Sequence, residues 1–243
     1  MNELDLEAAP AAPLAEILRP KTLDDVVGQA PLLGPQGGRL RLMLAHGSLG
    51  SIIFWGPPGT GKTTIARLLA DAADMAFEPI SAVFDGVGEL RKVFDRAAQR
   101  RRQGRRTLLF VDEVHRFNKA QQDGLLPRVE DGTVTLVGAT TENPSFALNG
   151  ALLSRAQVLV LDRLDHAALE AILSRLEAHI GRDLPIDDEA RAALLGMADG
   201  DGRYLLNMAS LLVEMPATTK LDSCVLAELV AAVSYTHLRA HET

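Results

Sequence analysis

The chain has 243 residues, 47% of them hydrophobic, and a net charge of −7. That length supports one large domain or two smaller ones around a real core. No apolar run reaches the roughly 20 residues that a membrane-spanning helix needs, and the acidic balance excludes a surface coated with nucleic acid over its whole extent, though not a local basic track.

Residues 1–13 are rich in Ala, Pro and acid and read as a flexible arm without a signal-peptide pattern. Turn-rich stretches follow at 20–29 and 34–38. Ser51–Trp55 predicts a buried strand that runs into a Gly-Pro loop, with Trp55 packed in the core. Lys62–Ala73 carries Ile65, Leu68, Leu69 and Ala72 at helical spacing. Phe77–Val83 predicts a strand, placed at a sheet edge by Pro79. Val87–Gln103 predicts an amphipathic helix with Leu90, Val93, Phe94 and Ala97 inward.

Basic residues cluster on that helix and beyond it: Arg91, Lys92, Arg96, Arg100, Arg101, Arg102, Arg105 and Arg106. They read as a solvated helix end suited to the helix dipole, or as a direct DNA contact. Further strands are predicted at Leu108–Val111, Thr133–Val137 and Val158–Leu161, with a helix at Gln121–Val129. Strands alternating with helices imply a parallel sheet covered on both faces. After Leu161 helical segments follow near 166–180, 187–197, 203–214 and 221–232, a separate helical domain. The single cysteine, Cys224, excludes an internal disulfide, fits a reducing cytoplasm and reads as a buried small apolar side chain.

Gly56-Pro57-Pro58-Gly59-Thr60-Gly61-Lys62-Thr63 matches G-x-x-x-x-G-K-[ST] in full, and Thr64 follows it. Glycines let backbone N–H groups turn inward around phosphate oxygens, and the next helix aims its positive end at the same anion. Lys62 is expected on the β- and γ-phosphates and the Thr63 hydroxyl on Mg²⁺. Asp112 and Glu113, at the end of a buried strand, supply the expected metal-side carboxylate and the general base for the attacking water. Asp112-Glu113-Val114-His115 also spells the D-E-x-H of a large helicase superfamily. His115 itself reads either as support behind the site or as a surface histidine.

Several strings resemble the AAA+ ATPases, and among them the family of replication-associated recombination protein A and Werner-helicase-interacting protein. They are Pro13-Leu14-Ala15 with Arg19-Pro20 and Val27-Gly28-Gln29; Phe110 to Lys119; Gln121-Gln122-Asp123; Glu130-Asp131-Gly132; and Gly138 to Phe146. The resemblance spans roughly residues 12 to 232. It implies an α/β fold, a five-stranded parallel P-loop sheet with helices on both faces over residues 14–162, followed by a small all-α lid over 163–232. It also implies ATP and Mg²⁺ as cofactors, with Arg19, Val27 and Gly28 on the adenine side. Thr141 would contact the γ-phosphate or the water, Arg155 would reach into a neighbouring subunit's site, and Arg203 would sense the γ-phosphate from the lid.

The family acts at stalled or damaged replication forks in the bacterial cytoplasm, near the nucleoid, and not in a membrane. Its partners are DNA forks, gaps and single-strand/double-strand junctions, single-strand-binding protein, and further copies of itself in the full-length protein. A clamp-loader or branch-migration subunit and a nucleotide-switched scaffold are the alternatives. Residues 233–243 do not resemble the family and read as translated sequencing adapter, so the chain is expected to be a C-terminally truncated fragment with impaired oligomerisation and slow ATP hydrolysis.

Overall fold

Short runs of Ile, Leu, Val and Phe bounded by Gly, Pro and charged residues become strands because both of their faces can be buried. In the computed structural model, which describes residues 12–35, 37–216 and 220–230, these are β1 (Ile52–Trp55), β2 (Ala76–Ser81), β3 (Thr107–Asp112), β4 (Thr135–Thr140) and β5 (Gln157–Val160). Residues 1–11 of the expected arm and all of the expected tail lie outside the described residues. The strands form one parallel sheet in the order β2-β3-β4-β1-β5, the expected fold class. Pro79 sits in β2, an edge strand, where its missing N–H costs no ladder bond.

Alternate residues divide between two cores. Ile52, Phe54, Leu108 and Phe110 pack on one face with Ile65 and Leu69 of the Lys62–Ala72 helix. Ile53, Leu109 and Val111 pack on the other with Leu90 and Val93 of the Val87–Arg102 helix and Leu125 of the Lys119–Glu130 helix. β4 runs three residues further than its apolar pattern suggests, through Gly138, Ala139 and Thr140. It lies in the interior of the sheet, and a Cβ on Gly138 would stand 2.8 Å from Ile53 Cδ1 and 3.1 Å from Val114 Cγ1, so small residues are what fits there. A helix at Arg39–Ala45 goes unpredicted, although Leu40, Met43 and Leu44 follow the helical i, i+3, i+4 spacing toward the same core.

The basic helix end is partly structural. Arg96 and Arg100 both pair with Glu78 of β2, and the Arg96 hydrogen bonds hold the Glu78 carboxyl below its usual range. Arg101 donates to the Thr133 hydroxyl at 3.4 Å, and Arg106 to the Ala73 carbonyl at 3.0 Å.

The described residues fall into two units: an α/β unit of Pro20–Ala168 with Asp199–Gly202, and a helical unit holding Leu169–Ala198, the chain from Arg203 onward and the segment up to Arg19. The helical unit contains most of the His166–Ile180 and Gly202–Val213 helices, the Asp188–Ala198 helix, and a helix over residues 223–230. In that last helix Leu226 and Val230, four residues apart, are buried, which turns Cys224 outward. The expected buried cysteine is therefore exposed.

Arg191 ties the helical unit together, pairing with Glu170 at 2.6 Å and Glu177 at 2.7 Å. Burial raises the Glu177 pKa, but the Arg191 hydrogen bond and the Leu184 N–H outweigh it, and the group ends below its ordinary 4.5. A carboxylate with a depressed folded pKa contributes stability that is complete above the unfolded value and lost as pH falls through the folded one. Denaturant unfolding should show stability declining below about pH 4.5. Arg191→Ala should cost about 2–3 kcal/mol at neutral pH and flatten that acid dependence.

Candidate active site

Parallel register brings the C-terminal ends of three strands to one edge of the sheet. Trp55 of β1 pairs with Thr140 of β4, and Val111 of β3 pairs with Gly138 of β4. Gly56, Asp112–Glu113 and Thr140–Thr141 therefore leave the sheet side by side. This is the C-terminal crevice in which open α/β sheets bind ligands.

The loop from Gly56 to Thr63 turns here because its glycines permit it. The Gly56 N–H donates to the Thr140 carbonyl at 3.2 Å, and a Cβ on Gly56 would lie 2.2 Å from the Leu161 carbonyl oxygen. Gly56→Ala should cost about 2–3 kcal/mol of stability in urea unfolding, because the clash is with backbone. Gly61 caps the Lys62–Ala72 helix with φ +95, a left-handed conformation that suits glycine. Pro57 is half-buried and Pro58 exposed on the turn. The buried Thr60 donates its hydroxyl to the Pro57 carbonyl at 3.0 Å. Lys62 is 8% exposed, and its Nζ donates to the carbonyls of Gly56 at 2.8 Å and Pro57 at 2.6 Å. Thr63 and Thr64 follow in the first helical turn, half-buried.

Two distant segments brace the loop. The buried Gln29 donates from Nε2 to the Asp162 carbonyl at 3.0 Å and the Thr60 carbonyl at 3.5 Å. The Gly202 N–H donates to the Gly59 carbonyl at 3.2 Å, and a Cβ on Gly59 would fall 1.7 Å from an Asp201 carboxylate oxygen. Sequence reasoning missed Gln29 and Asp201 as site residues. Their only local signals are the Val-Gly-Gln string and the Gly-Asp-Gly turn.

On the facing side, Glu113 follows Asp112 with φ +50, a left-handed backbone uncommon for a residue with a Cβ. The Thr141 hydroxyl donates toward Glu113 Oε2 at 3.5 Å. His115 Nδ1 lies 3.2 Å from the same oxygen and 2.9 Å from Thr140 Oγ1. Its side chain is only 4% exposed, so the surface-histidine reading is overturned. Its short helical turn, Val114–Arg116, folds it back over the end of β4.

The remaining predicted residues lie elsewhere. Arg155 precedes β5, whose Gln157 is level with Ile52 at the start of β1. It therefore leaves the opposite edge of the sheet from the Gly56–Thr63 loop. There it is exposed and pairs with Glu130 at 2.5 Å. Val27 is half-buried, and Gly28 adopts φ +75, where a Cβ would meet Leu164 Cδ2 at 2.6 Å. Arg19, in the helical unit, pairs with Glu16. Arg203 is exposed in the first turn of its helix in the helical unit.

Residues 52–164 match the family described as "ATPase family associated with various cellular activities (AAA)". The match runs from the start of β1 past the end of β5, so it holds the Gly56–Thr63 loop and the Asp112–Glu113 pair together. The chain contains an AAA domain. The chain is 48% identical over 217 residues to replication-associated recombination protein A of Escherichia coli K12, covering 87% of this chain and 48% of that protein. It is 42% identical over 207 residues to ATPase WRNIP1 of Dictyostelium discoideum, covering 84% of this chain and 24% of that one. The chain spans about half or less of the length of these curated relatives. Among solved structures it is similar to the Thermotoga maritima RuvB Holliday junction branch migration motor, with a TM-score of 0.69 and 25% identity over 88% of this chain and 72% of that one. Among the described residues no helix is long and apolar enough to cross a membrane.

Proposed function

We propose that this AAA chain binds and hydrolyses ATP with Mg²⁺ and couples the cycle to remodelling of DNA at stalled or damaged replication forks. One observation carries the chemistry: the loop holding Lys62, the Glu113 carboxylate and the Thr141 hydroxyl all leave one edge of the sheet. Lys62 would leave the Gly56 and Pro57 carbonyls for the β- and γ-phosphates, with loop N–H groups around the same oxygens. Thr63 and Asp112 offer one hydroxyl and one carboxylate. That donor set fits Mg²⁺, which takes one or two protein oxygens and completes its shell with phosphates and water. The metal would neutralise charge on the phosphates. Glu113 would accept the proton of the attacking water and Thr141 would orient that water. Arg19, Val27 and Gly28 would flank the base, and Arg203 would read the γ-phosphate from the helical unit.

Arg155 has its role between copies. Its place at the far edge of the sheet keeps it from its own chain's phosphates and leaves it open to a neighbour's. Turnover per chain should therefore rise with protein concentration, and Arg155→Ala should remove that rise while nucleotide binding is kept. Steady-state phosphate release over a concentration series checks this. A rate per chain independent of concentration would contradict it.

The relatives named for replication-associated recombination support the DNA role; single-strand-binding protein is the protein partner proposed with it, at exposed single strands. The likeness to a Holliday junction branch migration motor supports a motor architecture, with branch migration as the alternative task. The test is ATP turnover with and without forked or gapped duplexes, alongside strand displacement. The proposal expects both to respond to DNA and Glu113→Gln to abolish displacement. Turnover indifferent to DNA would overturn it, and stimulation without displacement would favour a nucleotide-switched scaffold.

A further inference from the structure

Glu113 is held by a neighbour that the hydrolysis chemistry above does not use. His115 is buried between three oxygen-bearing groups: Thr140 Oγ1 at 2.9 Å and Glu113 Oε2 at 3.2 Å from Nδ1, and Glu142 Oε1 at 3.4 Å from Nε2. The Thr140 hydroxyl has one proton. Its contact with the Glu142 carbonyl at 3.2 Å uses that proton, and the hydroxyl oxygen accepts the Glu142 N–H at 3.1 Å. An ionised Glu113 carboxylate can only accept, so the tautomer that binds it carries its proton on Nδ1, facing both that carboxylate and the Thr140 oxygen. Thr140 is fully buried, so this side of the imidazole is fixed by the sheet itself. The left-handed φ of +50 at Glu113 adds to the picture, since the backbone is turned so that the carboxylate meets the ring.

We infer that His115 is a positioning residue: seated on Thr140 at the end of β4, it holds the Glu113 carboxylate in the orientation from which it takes the proton of the attacking water. Glu142, whose side chain is 58% exposed, closes the other side of the ring. The base is thereby aligned to the same strand end that presents Thr141, so the two groups addressing the water share one mount. A base oriented in this way loses little freedom when the nucleotide arrives, which is what efficient proton transfer requires.

This rests on the reading of Glu113 as the base, and the experiment separates the two. Turnover and nucleotide affinity are measured on the 243-residue chain and on His115→Ala, His115→Asn and Glu113→Gln, at a concentration where wild-type turnover is highest. His115→Ala is expected to lower kcat by about tenfold or more with nucleotide affinity within about twofold of wild type. Asparagine can present an N–H near the Nδ1 position, so His115→Asn should return to within about fivefold of the wild-type kcat. A merely structural histidine would change stability or affinity and show no rescue by Asn.

Wild-type turnover in His115→Ala overturns the inference, as does a His115→Asn chain that binds nucleotide normally yet turns over no faster than His115→Ala. Should the alanine chain fail to bind nucleotide, the asparagine chain alone decides, by the same fivefold criterion. Full turnover in Glu113→Gln would instead overturn the base reading itself.

Discussion

Glu113→Gln is expected to lower ATP turnover by about 100-fold or more while nucleotide affinity stays within about threefold of wild type. The substitution keeps the size and one acceptor oxygen of the side chain, so the contact with His115 Nδ1 survives and the strand end is undisturbed. What disappears is the ability to take a proton from water. A loss confined to kcat is the signature of an interaction made in the transition state alone. Measured by single-turnover phosphate release and titration with a fluorescent nucleotide, a parallel loss of affinity would show instead that Glu113 acts on the ground state, as a metal ligand would.

Lys62→Ala is expected to weaken ATP binding by about 10- to 100-fold and to suppress turnover with it. A charge-assisted hydrogen bond is worth about 1.5–3 kcal/mol, and each 1.4 kcal/mol is a factor of ten. In the structure the Lys62 ammonium rests on the carbonyls of Gly56 and Pro57, so it is already at the loop and needs only to change partners. The same substitution frees the buried Gly56 carbonyl and should cost about 1–3 kcal/mol of stability without unfolding the chain. Calorimetric titration of ATP against wild type and variant, with circular dichroism for the fold, checks both halves. Unchanged affinity would mean the phosphates bind elsewhere.

The loop was legible in the sequence because its physics is local: Gly56, Gly61 and Lys62 act through spacing along a single turn. The strands were legible where apolar runs were long. The end of β4 was not, since Gly138 and Ala139 carry little hydrophobic signal, and only a position inside the sheet explains why nothing larger fits. Gln29 was illegible as a brace because its partner Asp162 lies 133 residues away and both bonds go to backbone carbonyls, which no side-chain pattern announces. His115 shows the same limit. Its spacing from Asp112 could be read, but its burial depends on Thr140, a residue on another strand. Cys224 was misplaced because a small apolar side chain carries a weak preference, while Leu226 and Val230 decide which face of that helix turns inward.

The measurement that bears most directly on the nucleotide site is a crystal structure of this chain with Mg²⁺ and a non-hydrolysable ATP analogue. The account predicts the triphosphate within the Gly56–Thr63 loop, Lys62 Nζ moved from the Gly56 and Pro57 carbonyls onto phosphate oxygens, the metal on Thr63 with Asp112 beside it, and Glu113 facing the γ-phosphate. A nucleotide bound away from that loop, or a Lys62 still resting on the two carbonyls with the analogue in place, would contradict it.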